Sequence, residues 1–233
     1  MTSELSDALI RTWVTGWSRT HDYDVQHDGE LHLALRTGDS DEWEYVLHAP
    51  AEDRLRTAAQ AVAKVPGRLL TVILSPKEGT PPRGALGDLE LISNEERLMV
   101  VDMGTQDVED PIAPEGFTGV REDFDGWTLF TVYDGDAVAA RGRVAVVEHH
   151  AVLDRIFTAD DYRRQGLGTY VTRALIAIAL ESDVDEGLLV ATGEGVELYE
   201  YLGWTPLGSV HVFGAQDGEP SRSSHSQFDD TVE

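Results

Sequence analysis

Cysteine is absent from this 233-residue chain. That excludes a disulfide framework, thiolate metal ligands, a redox pair and a cysteine nucleophile. Lysine is almost absent: Lys64 and Lys77 stand alone, and the other basic side chains are arginines. Positive charge is scarce altogether, with 18 basic against 43 acidic residues and a net charge of −25. Such a chain is a poor non-specific partner for DNA, RNA or an anionic membrane. An acidic, arginine-biased composition fits a GC-rich bacterial or a salt-adapted host. Long apolar runs are missing too. The longest, Ala174 to Leu180, is far below the ~18 residues that a membrane span needs. The first seven residues, Met1-Thr2-Ser3-Glu4-Leu5-Ser6-Asp7, offer neither a basic n-region nor an apolar h-region. The expectation is a soluble, cytoplasmic protein without nucleic-acid or membrane partners. No spacing of His, Asp or Glu predicts a metal site.

What is present is the material of a folded core, 41% apolar and 26% charged residues, enough for one large domain or two small ones. Leu5, Leu9, Trp13 and Trp17 recur every fourth position and predict a helix over 4–17, with both tryptophans in the core. Leu31 to Arg36 and Trp43 to His48 alternate as strands about a turn at Thr37 to Asp41. Arg54 to Val65 reads as a second helix, stopped by Pro66-Gly67. Leu69 to Leu74 is an apolar strand, Ser75 to Gly87 a Pro/Gly-rich loop, and Leu98 to Met103 a further strand. Residues 104–126 carry no helical period. Asp134-Gly135 is a hairpin turn between strands at Trp127 to Tyr133 and Ala137 to Val147. Glu148-His149-His150 turns again, exposed to solvent, and Ala151 to Phe157 follows as a strand. Leu167, Tyr170, Val171, Ala174, Leu175 and Ile178 mark the strongest helix of the chain. Leu188 to Ala191, a short helix at Gly195 to Leu202 and Leu207 to Phe213 complete the pattern. Residues 214–233 read as an acidic polar tail. Hairpins followed by one β-α-β crossover define an α+β class, with a mixed, mostly antiparallel twisted sheet flanked by helices.

The chemistry concentrates in Thr158 to Thr169. A strand enters and a helix leaves, and Gly166 and Gly168 strip side chains from the helix start. First-turn amides are unsatisfied donors at a partial positive charge, a setting that binds phosphate. Arg163 and Arg164 add full charges in a chain of opposite sign, and Thr169 adds a hydroxyl. A glycine-softened helix start with solvated arginines fits the same residues equally well. The Walker loop is excluded, because no lysine lies here. The dinucleotide fingerprint is excluded by Val171, where it requires a third small residue.

Arg163-Arg164-Gln165-Gly166-Leu167-Gly168 nevertheless resembles the Arg/Gln-x-x-Gly-x-Gly/Ala signature of the GNAT superfamily of acyl-CoA-dependent N-acetyltransferases. Val152 to Thr158 resembles that family's fourth strand, and Leu198 to Trp204 its Tyr-x-x-Leu-Gly-Phe/Trp segment. The resemblance covers residues 117–213 well and 98–116 loosely. It implies a GNAT-like fold with acetyl-CoA as cosubstrate. Ile156, Phe157 and Thr158 would pair with the pantetheine arm. Arg163, Arg164, Gln165, Gly166, Leu167, Gly168 and Thr169 would wrap the pyrophosphate. Tyr199 would protonate the leaving thiolate. Asp154 is the candidate general base, since an ammonium acceptor must lose a proton before attack; Glu194 and Glu148 are weaker candidates. The competing roles are structural: Tyr199 as a core tyrosine, and Asp154 as a strand carboxylate paired with Arg155 or Arg141. Family members are often dimers, which implies a homodimer.

Two departures stand out. Asp160 occupies a position where the family often has proline. Residues 104–126 are too short for the two helices that the family places beside its acceptor site. Three segments follow: 1–90, an N-terminal region with the element order of a degenerate second copy; 91–213, the acetyltransferase domain; and 214–233, the tail. Residues 1–90 are expected to dock on the C-terminal part and line the acceptor side. The function implied is direct transfer of an acetyl group to a small-molecule or peptide amine in a ternary complex. The alternative is a non-catalytic acyl-CoA-binding or protein-interaction module of the same fold.

Overall fold

The computed structural model describes residues 3–36, 41–106 and 111–215. Its first helix, α1 (Asp7–Thr20), starts three residues later than its apolar period predicts. The reason is Ser6, whose hydroxyl caps the helix by accepting from the Leu9 amide at 3.3 Å. Trp13 and Trp17 are buried and stacked, with ring centroids 5.7 Å apart. Next come β1 (Asp24–Asp28), β2 (Leu31–Leu35) and β3 (Trp43–His48), then α2 (Glu52–Val62) and β4 (Leu69–Leu74). Most of the turn expected at 37–41 lies outside the described residues. The segment expected as a loop at 75–87 contains a short helix, α3 (Arg83–Leu86), because Ala85 and Leu86 are apolar enough to be buried against the α2 side of the core. β5 (Glu90–Ser93) and β6 (Arg97–Asp102) follow.

Between Met103 and Trp127 the described residues hold one 3-10 turn and a strand, β7 (Thr118–Phe124), but no α-helix. β8 (Trp127–Asp134), β9 (Ala137–Val147) and β10 (His150–Thr158) form a meander. His150 belongs to β10 and is half-buried, with Nε2 3.5 Å from Glu186, so only Glu148 and His149 form the exposed turn. α4 (Leu167–Ala179), β11 (Glu186–Ala191), α5 (Gly193–Tyr201) and β12 (Thr205–Gly214) complete the described chain. Gly214 is thus strand, and the rest of the expected tail beyond Ala215 lies outside the described residues.

All twelve strands of the described residues join one sheet, in the order β1-β2-β3-β4-β12-β6-β11-β10-β9-β8-β7, with β5 beside β12. Pairing is antiparallel except for β3 with β4 and β10 with β11. The class is therefore mixed α+β with a mostly antiparallel sheet. One succession occurs twice: three antiparallel strands, a helix, and a strand parallel to the third. It runs β1-β2-β3-α2-β4 and again β8-β9-β10-α4-β11. The strands that follow cross over, since β6 pairs with β11 and β12 pairs with β4.

The alternation of each strand sorts the core into two layers. On one face α1 packs its tryptophans onto Leu98, Val100, Val152, Leu188 and Val210, together with Ala34, Val46 and Ile73. One helix thus covers strands from both ends of the chain. On the other face α4 packs on Val101, Leu153 and Leu189, while α2 packs on Leu47, Leu70, Val72 and Phe213.

Candidate active site

The parallel pairing of β10 with β11 spans only His150–Glu186, Ala151–Gly187 and Val152–Leu188. Beyond that point the strands part. A bulge between Asp154 and Phe157 interrupts the β9–β10 register, and Arg155 takes φ +50° there. Extra twist at a bulge turns a strand away from its neighbour. The facing backbone edges of β10 and β11 are left open to a hydrogen-bonding ligand. Over this gap lies a cavity of about 1140 Å³, lined by β10 from Leu153 to Thr158 and by β11 and the start of α5 from Leu189 to Gly195.

One end of the cavity is the turn into α4. Arg164 (φ +61°) and Gly166 (φ +81°) adopt left-handed backbone, and Gly166 as N-cap supplies no side-chain hydrogen bond. The first-turn amides of α4 are therefore uncapped beside the cavity, the arrangement that receives an anion. A Cβ on Gly168 would stand 3.2 Å from Leu198 Cδ2, so glycine lets α4 approach α5 closely. These features fit a pyrophosphate. Arg163, Arg164, Gly166, Leu167, Gly168 and Thr169 all line the cavity. Gln165 does not, and its amide turns back to the Asp161 carbonyl at 3.3 Å. Arg163 is tied to Asp160 at 2.9 Å, so the residue found where proline is common serves as its counter-ion.

Tyr199 of α5 lines the cavity. It is buried, edge-on to Trp204, with ring centroids 6.0 Å apart. Burial, and after it the charge of Asp154, pushes its phenol well above the usual tyrosine value. The hydroxyl therefore holds its proton throughout the physiological range. Asp154 lines the same cavity. Its Oδ2 accepts from the Thr20 hydroxyl at 3.2 Å and lies 2.6 Å from His21 Nε2, both at the C-terminal end of α1. The Arg155 guanidinium stands 3.2 Å from His21 Nδ1. Arg155 Nε also points to His21 Nε2, at 3.4 Å. Glu194 lines the cavity, whereas Glu148 sits exposed on the β9–β10 turn.

Sequence reasoning set residues 1–90 beside the acceptor side but named none of the residues of the far wall. Glu44 of β3 and Leu69 of β4 line the cavity, as do Ile92, Ser93, Glu95 and Glu96 near β5 and β6. A signal for Glu44 was available. It shares the inward face of its strand with Val46, an unusual position for a carboxyl group. Among the described residues no cluster of three or more His, Asp or Glu could hold a metal ion. No described helix is long and apolar enough to cross a membrane.

A parallel strand pair that splays over a glycine-rich turn, with a buried tyrosine beside the gap, has the layout of the GNAT fold. Comparison with known proteins agrees. Residues 100–204 match the family described as Acetyltransferase (GNAT) family. An uncharacterized N-acetyltransferase of Bacillus subtilis (strain 168), YobR, is 29% identical over 106 residues, which span 42% of this chain and 43% of that protein. A GCN5-related N-acetyltransferase from Kribbella flavida superposes on 93% of this chain and 98% of its own, with TM-score 0.67 at 17% identity. A tandem GNAT protein from the clavulanic acid biosynthesis pathway covers 78% of this chain and 77% of its own, with TM-score 0.54 at 16% identity. These likenesses at low identity concern the fold. The family match falls on the part of the chain that carries β6 to α5.

Proposed function

We propose that this protein transfers the acetyl group of acetyl-CoA directly to an amine. One observation carries the reading: the open edges of β10 and β11, the uncapped start of α4 and the buried Tyr199 all face one cavity. Each piece matches a part of the cosubstrate. The amides of Leu167, Gly168 and Thr169, with Arg163 and Arg164, receive the pyrophosphate. Backbone groups of Ile156, Phe157 and Thr158 receive the pantetheine amides. The thioester then lies in the gap between β10 and β11. The amine attacks its carbonyl carbon, the C–S bond breaks, and the Tyr199 hydroxyl delivers a proton to the departing sulfur. Asp154, held by Thr20 and His21, takes the proton that the acceptor gives up. Residues 1–90 form a degenerate second copy of the GNAT fold. Its α1, β3 and β4 stand in for the acceptor-side helices that the C-terminal copy lacks.

The N-terminal copy has no cosubstrate site of its own. β3 and β4 stay paired over five residues without splaying, and only Ala49, Pro50 and Ala51 separate β3 from α2. One site per chain is therefore proposed.

The test is thiol release from acetyl-CoA with a panel of amines, for the native chain and Tyr199→Phe. Deleting the hydroxyl should lower turnover by about 10²–10⁴ and leave acetyl-CoA affinity nearly intact. A loss below about tenfold, where chemistry limits the rate, would reduce Tyr199 to a packing role. Tight acetyl-CoA binding without thiol release for any amine would favour the non-catalytic acyl-CoA-binding reading.

A further inference from the structure

The cavity wall supplied by the N-terminal copy contains a carboxyl group that the transfer step does not use. Glu44 is 3% exposed and lines the cavity. Its Oε1 accepts a hydrogen bond from the Thr71 hydroxyl at 2.6 Å. That neutral hydroxyl is its one hydrogen-bond partner among the described residues, and no Lys, Arg or His stands within ion-pair distance of it. Buried carboxylates are normally met by a cation or by several donors. Here the second oxygen is left for whatever enters the cavity.

Position narrows the choice of cation. Glu44 shares its face of the sheet with Val46 and α1, whereas the turn at Arg163 to Thr169 opens α4 on the other face. In the strand order β4, β12 and β6 separate β3 from β11. At about 4.8 Å between neighbouring strands, one ammonium group cannot touch Glu44 and also sit at the β10–β11 gap. The cavity wall between these points includes the apolar side chains Leu69, Ile92 and Val212.

We infer that Glu44 anchors a second, non-reacting ammonium group, and that the acceptor is an aliphatic di- or oligoamine. The inference rests on the proposed acetyl transfer for the place of the reacting amine. The apolar wall receives the methylene spacer, and the free amine at the other end reaches Tyr199 and Asp154. The N-terminal copy then selects the acceptor while the C-terminal copy holds the acyl donor.

The experiment is calorimetry on the full chain with α,ω-diaminoalkanes of increasing length and the matching n-alkylamines. Glu44→Gln is the variant, because its amide oxygen can still accept from Thr71 while the charge is gone. The native chain should bind its best diamine about tenfold more tightly than the matching monoamine, with an optimum spacer length. Glu44→Gln should erase that preference and leave monoamine binding unchanged. Diamines that bind no better than monoamines, including no binding of either, overturn the inference. So does a Gln variant that keeps the preference. Acetyl-CoA titration of both proteins is a separate readout. Equal affinities confirm an intact fold, and absent binding in the native chain would defeat the acetyl-transfer reading while the diamine result stood by itself.

Discussion

Arg163 and Arg164 are neighbours in sequence with the same charge, yet the structure gives them different work. Arg163 is neutralised by Asp160, and both side chains are largely exposed. Arg164 has no ion-pair partner among the described residues, and its left-handed backbone directs it differently from Arg163. An incoming pyrophosphate must compete with Asp160 for the first arginine but not for the second. Arg164→Ala should weaken acetyl-CoA binding by about tenfold, the size of one charge-assisted contact at an exposed site. Arg163→Ala should cost less, roughly twofold to threefold. Calorimetry on the two variants decides, and a larger loss for Arg163 would contradict the assignment. The sequence shows both arginines but not their inequality, because the turn that separates them is a matter of backbone angles. Asp154 makes the same point. Its sequence surroundings give no hint of His21, 133 residues away, whose Nε2 stands 2.6 Å from its carboxylate.

At the scale of elements, the start of α4 depends on what it lacks. Gly168 sits where a side chain would press on Leu198, one residue before Tyr199. Gly168→Val should push α4 and α5 apart, with an overpacking cost of about 1–3 kcal/mol. The predicted result is a folded protein with lowered acetyl-CoA affinity, seen by calorimetry alongside an unchanged far-UV spectrum. Unaltered affinity in that variant would remove the turn from the cosubstrate site. Elements with a buried face were the legible ones. β3, β4 and β9 run over the residues their patterns predict, because alternation or an apolar run marks them. β1, β5 and β7 escaped detection because their side chains are mostly exposed. Backbone pairing to a neighbour holds them, and that leaves no hydrophobic period to read. The turn from Arg163 to Thr169, the proposed cosubstrate end, was legible as a unit for a related reason, since it is built from consecutive residues. Glu44 and Leu69 join the site only through the order of the strands.

For the whole molecule the decisive fact is the crossing of β6 and β12. A fragment that starts near residue 88 keeps every residue assigned to the cosubstrate, but it loses α1, β3 and β4. Leu98, Val100, Val152, Leu188 and Val210 would then lose their cover, and one edge of β12 would lose its partner. Exposed apolar surface on that scale leads to association. Such a fragment should aggregate or bind acetyl-CoA poorly, as judged by size-exclusion chromatography and calorimetry. A stable monomer with full activity and the native acceptor preference would show that residues 1–87 are dispensable.

The same crossing governs the order in which the chain can fold as it is made. β4 is buried along its whole length and waits for β12, and the bond from Ser209 to the Leu74 carbonyl closes a separation of 135 residues. The first half therefore leaves the ribosome with an apolar strand edge that only the last described strand can cover. Contacts of such range make folding slow, and an unpaired edge invites association in the meantime. Synthesis that stalls before Thr205 would leave both β4 and β6 without the strand that joins them, so an incomplete chain is an aggregation hazard rather than half an enzyme.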